Sequence, residues 1–231
     1  MNISINHIVY DILEIASSGD NPNSFKIDNS QIQYWIEQTR SMLISQSLNK
    51  RDDIHDSWVS YINCLEMEQV DASLCCLAPS DCKVLKSVQK LPSTIDSWKD
   101  NWIISVSGSD GTSISKSNQL KQKYQAYSKY TSKDKSWFIM DNYLYITNDP
   151  FLERVKVALI VEFPSDLARF TDCSNQSCWT EDSPYPISAS MASIITDIVI
   201  KTKVNPFMQF PSDSSNNANS LTPKQLVENK Q

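Results

Sequence analysis

Glycine occurs at only three of the 231 positions of this chain, Gly19, Gly108 and Gly111, where an average chain of this length has roughly 16. Dinucleotide sites and phosphate-binding loops need two or three glycines within a few residues, because the backbone there approaches phosphate closely. No window of the sequence contains such a group. The chain therefore does not read as a nucleotide enzyme, and Asn, Asp, Ser and Pro have to make its turns.

Histidine is equally scarce, since His7 and His55 are the two in the sequence. They lie far apart, and neither belongs to an HExxH or His-x-Glu pattern. A histidine metal centre or a Ser-His-Asp triad would have to be built around one isolated imidazole. Both kinds of site are therefore disfavoured.

The composition is that of a globular protein, long enough for one large domain or two small ones. Hydrophobic residues make up 40% and charged residues 21% of the chain, with a net charge of −6. An acidic surface opposes tight nucleic-acid binding, which depends on basic contacts to phosphate. No apolar stretch approaches the ~20 residues of a membrane span, and residues 1–10 lack the features of a signal peptide. We expect a soluble protein made in a cytosol, with no membrane partner.

The six cysteines leave two interpretations open. They are Cys64, Cys75, Cys76, Cys82, Cys173 and Cys178. Zinc sites usually combine two closely spaced pairs, but Cys173 and Cys178 are separated by four residues and have no matching second pair. A zinc-thiolate protein stays as an alternative, while small buried thiols in a reducing cytosol explain the cysteines more simply. We expect no metal and no other cofactor.

Three segments have the apolar periodicity of amphipathic helices, with Ile15 in the stripe of the first and Ile194 in the stripe of the third. We expect the first two helices to form an antiparallel pair. In the second helix, Glu37 and Arg40 fall on the polar face. The third helix is long and is expected to end at Pro206. The three segments span residues 5–18, 30–47 and 187–204.

The middle of the chain changes to the pattern of β-strands, rich in aromatic and β-branched residues. Asp141 and Asn142 tolerate positive φ and separate two short apolar runs, which predicts a two-residue hairpin. The last strand is mostly apolar and is expected to be central in a mainly antiparallel sheet. Strand runs set between helical runs predict an α+β fold. The strand signals lie at residues 58–68, 82–92, 102–108, 137–140, 143–146 and 154–163.

The pattern divides the chain into four regions. Residues 1–50 are the N-terminal helical pair, residues 55–165 the β-rich region, residues 166–204 a loop and the C-terminal helix, and residues 205–231 a polar tail. Apolar residues stand on both sides of the polar centre of this tail, which is typical of an arm that docks on a partner. A loose terminus with stray apolar residues has the same pattern. The candidate docking residues are Phe207, Met208, Phe210, Leu221, Leu226 and Val227.

Paired carboxylates are the remaining route to catalysis, because they need neither glycine nor histidine. Glu66 and Glu68 alternate on a predicted strand and lie roughly 7 Å apart there, which is compatible with glycoside hydrolysis. No aromatic sugar subsite flanks them, so a solvated strand face is the simpler interpretation. The six tryptophans favour packing in the core and at protein interfaces. A carboxylate-based hydrolase acting on cell-wall sugars stays as an alternative function.

The order of these features resembles a family of phage structural proteins. Residues 30–43, 64–71, 82–92 and 138–146 look like segments of structural proteins from tailed phages of Bacteroidetes, including the crAss-like phages. In particular, the chain is similar to their head-to-tail connector proteins, the adaptor or ring proteins of the short-tailed type. The resemblance covers residues 5–165, and its motifs concern the fold and not catalysis.

The resemblance implies a non-enzymatic virion protein, one subunit of a homo-oligomeric, dodecameric ring at the head–tail junction, assembled in the host cytoplasm. Such a ring would contact the portal protein and adjacent ring or tail proteins, with packaged DNA passing non-specifically through its lumen. Closed rings use heterologous interfaces, so each subunit needs two different patches. The helices would pack against ring neighbours, and residues 205–231 would reach the portal or the next ring. A monomeric cytosolic interaction module is a third interpretation.

Overall fold

Within the described residues, seven strands of the computed structural model close into a barrel. The structure describes residues 3–17, 27–50, 52–71, 83–95, 102–118, 121, 129–130 and 133–208. In chain order the strands are β1 (Ser60–Asp71), β2 (Lys83–Ser87), β3 (Ile103–Gly108), β4 (Ser113–Lys116), β5 (Ser136–Met140), β6 (Tyr143–Thr147) and β7 (Arg154–Leu159). They follow the order β1-β2-β6-β5-β4-β3-β7 around the barrel, and all pairs are antiparallel except β4 with β5.

The described helices lie before and after the barrel in the chain. Helices α1 (Ile5–Ala16) and α2 (Asn29–Asn49) precede it, and α3 (Ala189–Val199) follows it. Two short 3-10 helices, Asp56–Trp58 and Pro164–Arg169, lie just before β1 and after β7. Separate helices combined with a mainly antiparallel sheet confirm the predicted α+β class. The antiparallel arrangement of the first two helices stays a prediction.

The helical backbone continues past the position where the sequence predicts its end. After α3, a π-helical turn (Ile200–Val204) leads into a short helix, α4 (Asn205–Met208). Pro206 is the second residue of α4, in the first turn of a helix, where the missing N–H of proline costs least. Pro206 therefore lies in a new helical turn and does not end the preceding one.

The long strand β1 joins two parts of the barrel. Its first half pairs with β7, and its second half, from Met67 onward, pairs with β2. Between Ile62 and Leu65 the register with β7 shifts by one residue, which is the mark of a β-bulge. A bulge bends the strand and increases its twist. Such a bend helps the barrel to close.

Barrel closure changes the predicted role of the last strand. Strand β7 pairs with β1 on one side and with β3 on the other. Its Val155 and Val157 are almost fully buried in the same apolar core that contains Ile36 and Ile44 of α2. A closed barrel has no edge strand, so every strand has two neighbours and the predicted distinction of a central strand does not apply. One continuous core joins the helices to the barrel.

Two isoleucines in the predicted apolar stripes are largely exposed. Ile15 of α1 is 55% exposed and Ile194 of α3 is 49% exposed. Leu13 and Ala192 are buried on the same two helices. Most of each predicted stripe is nevertheless buried, so the helical periodicity locates the buried face of both helices apart from these positions. The consequence is an apolar side chain at the surface of each helix.

The hairpin between β5 and β6 has the two-residue turn that the sequence predicts. Met140 pairs with Tyr143, and the intervening Asp141 and Asn142 have φ angles of 53° and 63°. Most L-residues are strained in this left-handed region, and Asn and Asp adopt it more easily than others. The Asn142 carbonyl also accepts a hydrogen bond from the N–H of Leu91 at 2.8 Å. The turn therefore fixes both the hairpin register and the segment after β2.

Replacing Asn142 by a β-branched residue should destabilise this turn. We expect Asn142→Val to lower the free energy of unfolding by about 1–2 kcal/mol, the cost of a left-handed φ for such a residue. Asn142→Gly is the control, because glycine adopts positive φ freely. Chemical denaturation of the two variants and the wild type measures the difference. Equal loss of stability in both variants would show that the side chain of Asn142, and not its backbone angle, is what matters.

Candidate docking grooves

Arg40 is a fully buried cation that connects α2 to three other parts of the fold. Its Nε donates a hydrogen bond to the Pro186 carbonyl at 2.9 Å, and its Nη1 donates to the Val161 carbonyl at 2.8 Å. Its Nη2 lies 3.5 Å from the Trp58 carbonyl. The guanidinium carbon also lies 5.9 Å from the centre of the Tyr185 ring, close enough for a cation–π contact. Burial lowers the pKa of Arg40 and raises that of Tyr185.

Glu37, one turn before Arg40, is buried as well. Its two carboxylate oxygens accept hydrogen bonds from the N–H and the hydroxyl of Ser165, at 2.9 and 3.0 Å. Burial raises the pKa of Glu37 above its usual value of 4.5, against the opposing effects of the Ser165 hydrogen bonds and the charge of Arg40. The prediction that Glu37 and Arg40 lie on a polar face of α2 is therefore wrong. Backbone carbonyls bind Arg40 and Ser165 binds Glu37, so both side chains hydrogen-bond to protein groups.

The sequence contained a signal for the burial of Arg40. Helix α2 buries Ile32, Ile36, Ile44 and Leu48, which repeat every four residues with one position missing. Arg40 occupies that missing position. A charge in the middle of an apolar stripe indicates a buried and hydrogen-bonded group, because an unpaired charge there would be too costly.

A groove of about 460 Å³ lies between α1 and α3, and we call it the helix groove. Ile8 and Ala192, both buried, form part of its lining, and the half-exposed Ile15 stands beside them. Asp11 and Glu14 of α1 line the same groove and give it an acidic character. The combination of apolar lining and carboxylates can accept an apolar segment that carries basic residues.

A second groove, of about 760 Å³, lies between the start of β1 and residues 178–190, and we call it the loop groove. His55 and Ser57 line it, together with Tyr61 and Trp179. The Nδ1 of His55 accepts a hydrogen bond from the Ser57 N–H at 3.2 Å and lies 2.7 Å from the Ser57 hydroxyl. These contacts cap the 3-10 helix before β1. The imidazole thus has a local structural role in this groove.

Two of the cysteines form a disulfide, which the interpretation as buried thiols did not foresee. Cys64 lies in the bulged part of β1 and is joined to Cys173, with Cα atoms 5.3 Å apart. The partners are 109 residues apart in sequence, so only the folded barrel brings them together. Cys173 is exposed, which also contradicts the expected burial. Cys178 is a free, half-buried thiol whose pKa is raised by burial.

Neither a metal-binding cluster nor a membrane-spanning helix is found among the described residues. In the part of the chain that is described, no group of three or more His, Cys, Asp or Glu side chains could hold a metal ion. The other cysteines of the zinc hypothesis, Cys75, Cys76 and Cys82, lie outside the described residues. None of the described helices has both the length and the apolar character needed to cross a bilayer.

Glu66 and Glu68 are engaged in ion pairs across neighbouring strands. A carboxylate oxygen of Glu66 lies 3.6 Å from Nη2 of Arg154 on β7, and one of Glu68 lies 3.9 Å from Nζ of Lys86 on β2. Both carboxylates are exposed, and each is directly opposite its cationic partner in the strand register. Exposed pairs of this kind stabilise a fold by about 0–1 kcal/mol. They form two separate cross-strand contacts.

The buried tryptophans belong to the core and not to an exposed interface. Trp58, Trp137 and Trp179 are all buried, and the indole N–H of Trp137 donates to the Ile114 carbonyl at 3.0 Å.

The structure describes two of the six predicted docking residues. Phe207 and Met208 belong to α4 by their backbone. The other four, Phe210, Leu221, Leu226 and Val227, lie outside the described residues, so their role stays a prediction.

A crAss-phage family model described as phage tail ring protein 2 matches residues 7–229. The chain belongs to this family. A search of curated proteins finds no match for it. As a member of a ring protein family, it is a virion structural component that forms rings with its own copies and contacts other tail proteins. The match extends well beyond residues 5–165, where the resemblance in the sequence was placed, and includes the tail.

The buried carboxylate of this ring protein gives a testable pH dependence. Because the pKa of Glu37 is raised in the folded state, folding binds a proton, and the contribution of Glu37 to stability increases as pH falls. That contribution is present below the usual pKa of 4.5 and is lost as pH rises through the raised value. As pH is lowered from 7 to 4, the free energy of unfolding of the wild type should therefore rise relative to that of Glu37→Gln. Glu181→Gln, at an exposed position, is the control and should follow the wild type throughout.

The disulfide predicts a reductant-sensitive stability. Removing a cross-link between distant residues typically costs about 2–5 kcal/mol, so Cys173→Ser should lower the melting temperature measurably under non-reducing conditions. A reducing agent should lower the melting temperature of the wild type by the same amount and leave that of Cys173→Ser unchanged. Cys178→Ser is the matched control and should keep the reductant sensitivity of the wild type. A wild type indifferent to reductant would contradict a stabilising disulfide between Cys64 and Cys173.

Proposed function

We propose that this ring protein is a subunit of a homo-oligomeric, dodecameric ring that joins the portal to the tail and extends the DNA channel. The family match over residues 7–229 carries the proposal, because it makes the chain a ring-forming virion component. The position at the portal and the number of copies are the steps taken beyond that match. The partners would be ring neighbours, the portal, the next ring or tail protein, and DNA in the lumen.

The closed barrel supports assembly through side chains and not through strand addition. Within the described residues the strands form a closed cycle of pairs, and closure removes the free edges on which another chain could add a strand. Contacts between subunits must then come from helix faces, loops and terminal segments. The barrel is suited to be the rigid body of each subunit in such a ring.

Exposed apolar side chains on different parts of the subunit support heterologous contacts. Phe151, in the loop between β6 and β7, is 87% exposed, and Tyr130 is 83% exposed. Ile15 of α1 is also about half exposed. A closed ring requires two different surfaces on each subunit, one for each neighbour. Helix α1 and the barrel loops both offer apolar side chains for this purpose.

The acidic balance supports a channel through which DNA passes without being held. The net charge of −6 disfavours persistent contacts with phosphate. In this proposal, residues 1–50 and 166–204 supply the helices that contact neighbours, residues 55–165 form the barrel body, and residues 205–231 act as a docking arm. The arm would dock on a partner through its apolar residues.

Imaging of the neck of purified virions tests this function. We expect a ring of twelve copies between portal and tail, with a barrel and helices that fit the structure described here. Mass spectrometry of the same virions should detect the chain. If the chain is absent from virions, or is present without rotational symmetry, the ring function is wrong. If the ring lies lower in the tail, or has another copy number, the portal-joining or dodecameric part of the proposal is wrong.

A further inference from the structure

The helix groove exists because α3 presents small side chains to α1. Ala189, Ala192 and Ser193 of α3 line the groove opposite Ile8 and Ile15 of α1. Small residues on one helix and larger ones on the other leave space between the two backbones, and no described segment fills it. Ile15 is 55% exposed beside this space, so an apolar side chain of α1 has no apolar cover there.

We propose that the helix groove binds the C-terminal segment Leu221–Val227 of a neighbouring copy of the chain. This inference rests on the proposed ring function, and it names one of the two complementary patches that such a ring needs. The groove is one patch, on α1 and α3. The other is a segment of the same sequence, whose apolar residues are Leu221, Leu226 and Val227.

The chemistry of the segment matches that of the groove. The groove combines Ile8, Ile15 and Ala192 with the carboxylates of Asp11 and Glu14. A third carboxylate at its border, that of Asp197, already has a cation, Lys201, at 3.2 Å. The segment Leu221–Val227 carries its apolar side chains together with one lysine, Lys224, and no acidic residue, which gives it a net positive charge. Apolar contact in the groove and attraction between lysine and the carboxylates of α1 would act together.

The length of the chain allows the segment to reach a groove. The groove lies along α3 as far as Asp197, and Met208 ends α4 about 16 Å further along the same helical run. Residues 209–220 separate Met208 from the segment, and twelve residues span at most about 40 Å. The segment can therefore reach any groove within that distance of Met208. The ring arrangement favours the groove of the neighbour, since an arm that crosses to the next copy closes the cycle of contacts.

Binding of the segment can be measured with a labelled peptide and the full-length chain. The receptor is the full chain with Leu226→Asp and Val227→Asp, so that its own segment does not compete. The probe is a fluorescent peptide of residues 217–231, followed by anisotropy. We expect saturable binding that weakens at least tenfold when Ile15→Glu is added to the receptor. No binding of the peptide would overturn the proposal.

Ile194→Glu is the matched control for Ile15→Glu. Both are isoleucines about half exposed, one on α1 and the other on α3, but Ile194 does not line the groove. We expect peptide affinity to stay within twofold of the unmodified receptor in the Ile194→Glu variant. Equal loss in both variants would overturn the assignment of the groove. If Ile15→Glu impairs folding, the charge reversal of Asp11→Lys with Glu14→Lys decides the matter, since it should weaken binding at least tenfold.

A photo-crosslinking experiment decides whether the segment comes from a neighbour. Benzoylphenylalanine is placed at Ile15 in full-length chains, and isotopically heavy and light chains are mixed before irradiation. We expect cross-linked peptides that join residue 15 of one isotope form to residues 221–227 of the other. Cross-links confined within one isotope form would show that each chain fills its own groove, and the proposal would be wrong. If virion images show the expected ring with empty helix grooves, this inference fails while the ring function stands.

Discussion

The guanidinium of Arg40 is the interaction on which the arrangement of the helices depends. It hydrogen-bonds the carbonyls of Val161 and Pro186 and lies near that of Trp58. These carbonyls follow β7, precede α3 and precede β1, so one side chain on α2 fixes three chain segments at once. A buried charge is expensive unless its hydrogen bonds are satisfied. The fold therefore accepts only the placement of α2 in which these carbonyl acceptors surround the guanidinium.

Closure of the barrel is the second constraint. Strand β1 pairs with β7 along its first half and with β2 along its second half, and the bulge between Ile62 and Leu65 bends it. The bulged stretch also contains Cys64, whose disulfide to Cys173 fastens the loop after the second 3-10 helix to the barrel wall. Closure leaves the described strands without edges. A protein built to assemble in rings is in this way protected from unspecific strand pairing.

Local signals in the sequence predict local structure well and long-range structure poorly. The hairpin at Asp141 and Asn142 follows from two residues that tolerate positive φ, and the structure has it. Which side of a helix is buried depends on residues that are distant in sequence. Local periodicity therefore assigns Arg40 to a polar face, although it completes the stripe of Ile36 and Ile44. The disulfide of Cys64 joins residues 109 apart, and no local spacing could announce it. Barrel closure is non-local in the same sense.

The functional site of a ring protein is a contact surface between subunits. Of the site proposed here, the sequence indicates one half, the apolar residues of the tail. The other half, the helix groove, depends on how α1 meets α3. The N–H of Tyr185 donates to the Ile3 carbonyl at 2.8 Å, and Ser4 forms a bridge with Pro184.

These contacts hold the start of α1 against the segment that leads into α3, next to the Pro186 carbonyl that Arg40 binds. The buried cation therefore sets the position of the segment, the segment sets the start of both helices, and the two helices set the groove. A groove whose walls are fixed in this way loses little conformational freedom when it is filled. Through this chain of contacts, a charge hidden in the core determines the shape of the surface that we propose a neighbouring copy occupies.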